Sequence, residues 1–345
     1  MRVRATPFHS RAAAANLANA WEPRGGWTLS SFYDDTNSEA LAVRLTAAMA
    51  DISWRWRATL EGARAGEFLS RLMTKDAAKL TPGEAFKAAW LTDKGGVRGA
   101  GVLARHGRES FRLTASASDR DWIARAAALF DVSLREVLDE EGGLAIVGPY
   151  AAKTVEALGL DPALPLLTFR KVFWRGLDVT LSRFGELGGY ELWCNTDDAP
   201  LVWDRVVKAG SAFALKPAGL RAMDIADLET GIARPVRDYE PARDGFAHGP
   251  TPWELGLDTL VDTAHTLFNG REAALAAPRD RTLIGLETDG EAPLPRGAIG
   301  TAGRVLSSLY SPALQRAIAL AVVERGAPLP AGMRIAPLPF LAVNS

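Results

Sequence analysis

The clearest alternation of hydrophobic and polar positions lies just after a glycine-rich turn in the second half of the chain. There Tyr190, Leu192 and Cys194 alternate with Glu191 and Trp193. Successive side chains of a β-strand point to opposite faces of the sheet. The pattern therefore predicts a strand that presents Glu191 and Trp193 on one face, with a carboxylate near its beginning.

Two helices are predicted directly after this strand. The first has Pro200 in its first turn and Gly210 just past its end, which are the usual places for proline and glycine in a helix. The second opens near Pro217 and closes on Gly231. Its hydrophobic residues recur at helical spacing, at Leu220, Met223 and Leu228.

Helical and strand patterns also alternate along the rest of the chain. Helices are predicted over residues 11–21, 38–50, 63–73, 119–130 and 151–158. Strands are predicted over residues 57–60, 88–91, 99–105, 110–114 and 144–147. The stretch 55–140 is expected to form one compact α+β unit, and the segment 233–249, rich in proline, arginine and aspartate, is expected to be a linker.

Composition and charge narrow the class of protein. A chain of 345 residues with 48% hydrophobic residues is too large for one ordinary core, which predicts two or three domains. The 40 basic and 41 acidic residues nearly balance, which argues against a nucleic-acid partner. One cysteine, Cys194, excludes an intrachain disulfide and favours a reducing compartment. Without a membrane-length hydrophobic run or a signal-like N-terminus, we expect a cytoplasmic protein that spans no membrane.

Several segments resemble, in the same order, the signatures of one enzyme family. They are residues 189–191, 219–224, 228–231, 251–257, 268–273 and 303–312. The family is that of the aminomethyltransferases of the glycine cleavage system, in which a Gly-Tyr-Glu strand supplies the carboxylate that holds the pterin of tetrahydrofolate. The Gly-x-Arg-Ala and Leu-Glu-Thr-Gly patterns are most similar to the branch that removes methyl groups from lignin-derived aromatic ethers.

This resemblance implies an α+β fold of three domains around a central cavity. The first, a discontinuous folate-binding-type domain, is expected to comprise residues 1–49 and 144–245. The second, a ferredoxin-like α+β domain, is expected over residues 50–143. A C-terminal β-barrel is expected over residues 250–345.

The resemblance also implies where the chemistry lies. The cofactor is expected to be tetrahydrofolate, and its candidate binding residues are Glu191, Tyr190, Arg221 and Met223. The candidate residues for binding a small aromatic substrate are Trp54, Trp253 and His248. The candidate catalytic residues are Lys87, Tyr33 and Asp34. The four histidines lack the mutual spacing of metal ligands, so no metal is expected.

Four features depart from the family pattern. Gly99 and Ala100 stand where the family has an aspartate after a Gly-Gly turn. Lys87 replaces a tyrosine, Met223 an arginine and Trp54 a histidine. Loss of the aspartate argues against ordinary aminomethyl transfer. The leading hypothesis is an enzyme that removes a methyl or hydroxymethyl group from a small aromatic compound and transfers it to tetrahydrofolate.

Other interpretations stay open. A lyase in the same cavity would need no folate and would release a hydroxymethyl group as formaldehyde, with Lys87, Tyr33 or an aspartate as the base. A non-catalytic folate-binding protein would keep the cavity without a reaction. Glu191 itself could be structural, in an ion pair with Arg183 or Arg221. The chain could also form a homo-oligomer.

Overall fold

The computed structural model describes residues 3–185, 187–244 and 249–342. Within those residues the chain forms eight α-helices and nineteen β-strands, which are arranged in four sheets.

The helices, in chain order, are α1 (His9–Ala15), α2 (Thr36–Leu45), α3 (Ala65–Leu72), α4 (Arg120–Ala128), α5 (Ala151–Ala157), α6 (Ala199–Gly210), α7 (Leu220–Glu229) and α8 (Arg271–Ala276). The strands are β1 (Arg4–Ala5), β2 (Ala20–Arg24), β3 (Trp27–Phe32), β4 (Ala48–Asp51), β5 (Trp56–Glu61), β6 (Ala85–Leu91), β7 (Val97–Arg105), β8 (Ser110–Ala115), β9 (Ser133–Glu136), β10 (Glu141–Val147), β11 (Phe169–Trp174), β12 (Leu177–Ser182), β13 (Tyr190–Asn195), β14 (Lys216–Pro217), β15 (Arg281–Thr288), β16 (Gly297–Ile299), β17 (Gly303–Ser311), β18 (Arg316–Glu324) and β19 (Met333–Ala336).

A six-stranded sheet holds the alternating strand, now β13, in its interior. The strand order is β11-β12-β13-β10-β4-β14, antiparallel except where β14 runs parallel to β4. On one face of β13, Tyr190, Leu192 and Cys194 pack in a core with α5 and α6. On the other face, Trp193 packs with α2 and α7. The predicted two-faced strand is therefore confirmed, and helices cover both faces of this sheet.

Three further sheets complete the α+β fold. Near the N-terminus, β3 lies between β1 and β2. A five-stranded antiparallel sheet of order β6-β7-β8-β5-β9 packs against α3 and α4, with Trp56 and Trp90 deep in its core. The C-terminal sheet, of order β16-β17-β18-β15-β19, is also antiparallel. The strands and helices predicted between residues 55 and 140 are thus confirmed.

The sequence-based prediction placed the C-terminal ends of two helices too far along the chain. Helix α1 ends at Ala15, because the Asn16 side chain bonds both the N–H and the C=O of Ala20, where β2 begins. Helix α2 ends at Leu45, because residues 48–51 form β4 between β10 and β14. Alanine suits a helix in both segments, but pairing with distant strands outweighs this weak local preference.

The predicted division into three domains stays a proposal. Strands β4 and β10 cross the proposed boundaries at 49/50 and 143/144, and both belong to the six-stranded sheet.

In the described part of the chain, no helix combines the length and the hydrophobicity that crossing a membrane requires.

Candidate active site

A narrow cleft lies where the ends of β3 and β4 meet the beginning of α7. Its wall is formed by Arg24, Leu29, Ser30, Tyr33, Ala50, Asp51, Ile52, Trp54, Arg55, Ala218, Gly219, Leu220, Met223, Asp224 and Asp227. Its volume is about 30 Å³. Small-molecule sites usually measure roughly 300–1,000 Å³, so the cleft must widen before it can admit a pterin or an aromatic compound.

Glu191 lies behind this cleft, on the face of β13 that the sequence predicted. Its Oε1 accepts a hydrogen bond from Arg55 Nη1 at 2.6 Å. Its Oε2 accepts one from Trp193 Nε1 at 3.3 Å and a longer one from Ser182 Oγ at 3.5 Å. The Glu191 side chain is only 5% exposed, so Arg55 stands between this carboxylate and the cleft.

The expected ion-pair partners of Glu191 were wrong. Arg183 donates instead to the backbone carbonyls of Leu164 and Gly188. Arg221 lies on the exposed side of α7 and pairs with Glu22 at 2.7 Å. Arg55 takes the position from the short turn that links β4, a strand of the sheet that contains Glu191, to β5.

The buried guanidinium of Arg57 stabilises the residues around Glu191. The guanidinium of Arg57 lies 4.0 Å from the centre of the Trp193 ring. It donates to the carbonyls of Ser53, Arg55 and Glu141 at 2.9–3.2 Å. Burial lowers the pKa of Arg57 to about 10. These contacts hold in place both the loop that carries Arg55 and the indole that donates to the Glu191 carboxylate.

A second ion pair lies at the other end of the cleft. Arg24 donates to both oxygens of Asp224, at 2.8 and 2.6 Å. Its guanidinium also lies 5.5 Å from the centre of the Trp54 ring. Arg237 approaches Asp224 and Asp227 from behind, at 3.6 Å from each. Two parallel hydrogen bonds fix the orientation of the guanidinium relative to the carboxylate. The Arg24–Asp224 pair therefore narrows the cleft with one fixed geometry.

Two buried titratable groups, Tyr33 and Asp51, also face the cleft. Burial and the nearby Asp51 raise the pKa of Tyr33 above its usual range. Burial likewise raises the pKa of Asp51. The Asp51 side chain accepts the N–H of Ser53 at 2.9 Å, which shapes the turn that leads to Trp54 and Arg55.

Three of the predicted site residues, Tyr33, Trp54 and Met223, line the cleft together. Two others face elsewhere, because strand and helix geometry directs their side chains away. Tyr190 points to the opposite face of β13 from Glu191, where its hydroxyl donates to the carbonyl of Pro162 at 2.7 Å. Arg221 projects to solvent from α7, with its side chain 56% exposed.

Three further predicted site residues, Lys87, Asp34 and Trp253, are not part of the cleft wall. Lys87 is half-buried on β6, where its neighbour across the sheet is Val102. Asp34 is exposed beside the beginning of α2. Trp253 is buried in the C-terminal core and donates to the carbonyl of Ala274 at 2.7 Å. His248 lies outside the described residues.

At Gly99, one of the two residues that stand where the family has its aspartate, an indole fills the space beside the backbone. A Cβ on Gly99 would lie 2.4 Å from the ring of Trp90, which is 1% exposed. Trp90 is fixed in turn, because its Nε1 donates to Asp119 at 3.0 Å. Trp90 belongs to the core cluster that includes Leu29 and Leu220 of the cleft wall. No side chain fits at position 99 unless Trp90 moves.

Gly99→Ala is therefore expected to lower the free energy of unfolding by about 1–3 kcal/mol, as overpacking of a filled core does. Urea denaturation measures this loss. Gly290→Ala is the matched control, because the nearest heavy atom to a Cβ there is 4.0 Å away. Equal stability of the two variants would mean that Trp90 yields easily, and that an acid at position 99 is sterically permitted.

Sequence reasoning missed several polar residues of the cleft. They are Arg24, Ser30, Asp51, Arg55 and Asp227. Two signals were available for them. Arg24 directly precedes a Gly-Gly turn, and Asp51 and Arg55 flank the segment in which Trp54 replaces the histidine of the family pattern.

Comparisons with known proteins agree with this fold. The family profile described as GCVT N-terminal domain matches residues 9–265. An aminomethyltransferase of Frankia alni is 33% identical over 340 residues, covering 94% of this chain and 91% of the relative. An aminomethyltransferase of Thermotoga neapolitana is 29% identical, with coverages of 94% and 90%.

The crystal structure of the glycine cleavage system aminomethyltransferase T from Bartonella henselae superposes with a TM-score of 0.85. It covers 98% of both chains at 23% sequence identity, which confirms the predicted fold. The family profile spans most of the chain, and the Frankia protein is similar over almost its entire length. This chain therefore belongs to the aminomethyltransferase (GCVT) family.

Proposed function

We propose that this protein is a one-carbon transferase that moves a methyl or hydroxymethyl group from a small aromatic compound to tetrahydrofolate. Membership of the aminomethyltransferase family supports one-carbon transfer. The observation that carries the choice of donor is the absence of an acid at Gly99 and Ala100, where the family has its aspartate, with the Trp90 ring packed against Gly99. Without that acid beside the donor nitrogen, an aminomethyl donor is disfavoured.

The residues around Glu191 fit the pterin of tetrahydrofolate in their chemistry. A buried carboxylate needs paired donors, and the amino-pyrimidine edge of a pterin presents two. Bound tetrahydrofolate would supply the nitrogen that accepts the one-carbon unit. Arg55 now donates to Oε1 of Glu191, and its side chain is 26% exposed. It can therefore turn toward solvent when a pterin takes its place.

The donor side of the cleft favours an uncharged aromatic ring. Leu29, Trp54, Leu220 and Met223 form apolar parts of its wall. Trp54 and Met223 stand where the family pattern has a histidine and an arginine, so two polar groups have become apolar. Aromatic rings bury large apolar areas against such walls.

We further propose that the enzyme is cytoplasmic, binds no nucleic acid, and can associate as a homo-oligomer.

A folate-independent lyase is the second candidate, favoured by the Arg55–Glu191 ion pair. That pair already satisfies Oε1 of the carboxylate that folate would need. In this reaction a base in the cleft, Tyr33 or an aspartate, takes the hydroxyl proton of a hydroxymethyl group. The carbon–carbon bond then breaks, formaldehyde leaves, and the remaining carbanion takes up a proton.

One experiment separates the two candidates. Purified enzyme stripped of folate is incubated with methoxylated and hydroxymethyl-bearing aromatic compounds, with and without tetrahydrofolate. Formaldehyde and methylated folate are then assayed separately. We expect turnover only with tetrahydrofolate, and the one-carbon unit on the folate.

The other outcomes are equally informative. Formaldehyde in the tube without folate would replace the transferase by the lyase. A lack of turnover in both tubes, together with tight binding of tetrahydrofolate, would favour a non-catalytic folate-binding protein. Glu191→Gln is run in parallel, because a folate-dependent reaction must respond to it and a folate-independent one need not.

A further inference from the structure

Asp51 combines three properties that no other residue of the cleft wall shares. It is a carboxylic acid, it is 9% exposed, and it faces the cleft directly. The other two carboxylates of the wall are engaged by arginines: Asp224 by Arg24, and Asp227 by Arg234 at 2.6 Å. No arginine or lysine of the described residues forms an ion pair with Asp51.

The partners of Asp51 are neutral hydrogen-bond donors. It accepts the backbone N–H of Ser53 at 2.9 Å, and the nearby hydroxyl groups of Thr6 and Ser53 act to lower its pKa. The Tyr33 hydroxyl is a second buried proton carrier in the same wall. A carboxyl group in such surroundings can hold a proton where water and cations do not compete for it.

We propose that Asp51 is the proton donor of the reaction in this cleft and acts in its protonated form. This inference rests on the proposed transfer from an aromatic ether. In that transfer the methyl carbon–oxygen bond breaks and its electron pair stays on oxygen. A carbon–nitrogen bond forms from the lone pair of the accepting nitrogen. Asp51 gives its proton to the leaving oxygen, and the proton released by the nitrogen restores Asp51 through water in the cleft.

The charged groups around Asp51 act in opposite directions. Arg57, buried beneath the loop, lowers the pKa of Asp51, whereas burial raises it and is the larger effect. Tyr33 and Cys194 are neutral neighbours whose own pKa values are raised partly by Asp51. Arg24 and Arg55 also line the cleft, each already paired with its own carboxylate. The net effect is a pKa of Asp51 that is raised above the ordinary value of aspartate.

The proton can be detected without any substrate. We would record the infrared C=O band of protonated carboxyl groups at about pH 6, two units above the ordinary pKa of aspartate. Asp51→Asn keeps an oxygen that accepts the Ser53 N–H and removes the acid. The wild-type protein should show a band that is absent from Asp51→Asn.

Asp161→Asn is the matched control. Asp161 accepts the N–H of the residue two positions later at 2.9 Å, as Asp51 does, but its side chain is 55% exposed. Its substitution should leave the band intact. A band at about pH 6 that keeps its full intensity in Asp51→Asn, or no band in the wild-type protein, would overturn the proposal.

Stability gives a second readout with a defined sign. A folded-state pKa above the unfolded value means that the folded protein binds the proton more tightly. The Asp51 contribution to stability is then largest below the unfolded pKa, and is lost as pH rises through the folded pKa. Asp51→Asn should lack this loss, so its stability relative to wild type should improve with rising pH. A constant difference between the two proteins would contradict a raised pKa.

Turnover decides the catalytic part of the inference. In Asp51→Asn, kcat should fall by about 10²–10⁴-fold while the affinity for tetrahydrofolate is kept. Full turnover in Asp51→Asn would overturn the role in catalysis even if the infrared band is found. A wild-type enzyme without turnover on any donor would overturn the proposed function and this role together, whereas the band would still show whether Asp51 holds a proton.

Discussion

Glu229→Gln is expected to lower the free energy of unfolding by about 3–5 kcal/mol, because it leaves a buried guanidinium without its counter-charge. Arg44 donates to Glu229 at 2.6 Å, and the two side chains are 9% and 2% exposed. The second oxygen of Glu229 accepts the hydroxyl of Ser311 at 2.6 Å. One carboxylate thus connects α2, α7 and the end of β17.

This site also anchors the end of the described chain. The backbone N–H of Phe340 donates to the carbonyl of Glu229 at 3.0 Å. Loss of the Glu229 charge should therefore loosen the packing of the C-terminal sheet against the six-stranded sheet. Urea denaturation followed by tryptophan fluorescence measures the loss, and limited proteolysis shows whether the C-terminal segment is released first.

Glu22→Gln provides the comparison for Glu229→Gln. The Glu22–Arg221 pair has a similar distance, 2.7 Å, but its side chains are 31% and 56% exposed. Exposed pairs contribute at most about 1 kcal/mol. If the two substitutions cost the same, Arg44 must reach water in the variant, and the buried pair would not hold the sheets together.

Local features of the fold were predictable from the sequence because they depend on neighbouring residues. The alternation around Glu191 predicted both faces of β13, and Pro200 marked the beginning of α6. The ends of α1 and α2 were not predictable in this way. Their limits depend on which distant strands pair with residues 20–24 and 48–51, and alanine-rich segments do not encode that choice.

The candidate site was predictable only where a motif preserved its position. Tyr33, Trp54 and Met223 lie in the cleft, and two of them, Trp54 and Met223, stand at positions that the family pattern defines. The partner of Glu191 was missed, because Arg55 is 136 residues away and no periodic pattern links the two. The closing of the cleft by two ion pairs was likewise invisible, since each pair joins residues from different sheets or helices.

Glu191→Gln is expected to weaken tetrahydrofolate binding by about 1.5–3 kcal/mol, roughly a 10- to 150-fold rise in Kd. A carboxylate accepts both donors of the pterin edge, whereas the glutamine amide offers one acceptor and opposes the other donor with its NH₂. The fold should survive, because Arg55 is partly exposed and can be solvated through the cleft. Isothermal titration calorimetry and thermal unfolding together check both parts. A collapse in Tm with normal affinity per folded molecule would make Glu191 structural.

Arg55→Met tests how the Arg55 guanidinium affects tetrahydrofolate binding. If Arg55 only covers Glu191, tetrahydrofolate no longer has to displace it, and the affinity should stay the same or increase. The double variant with Glu191→Gln should then bind as weakly as Glu191→Gln alone, because the carboxylate would be the group that holds the pterin. If Arg55→Met weakens binding as much as Glu191→Gln does, the ion pair acts as one unit, and the ligand would bind to the intact pair rather than to the freed carboxylate.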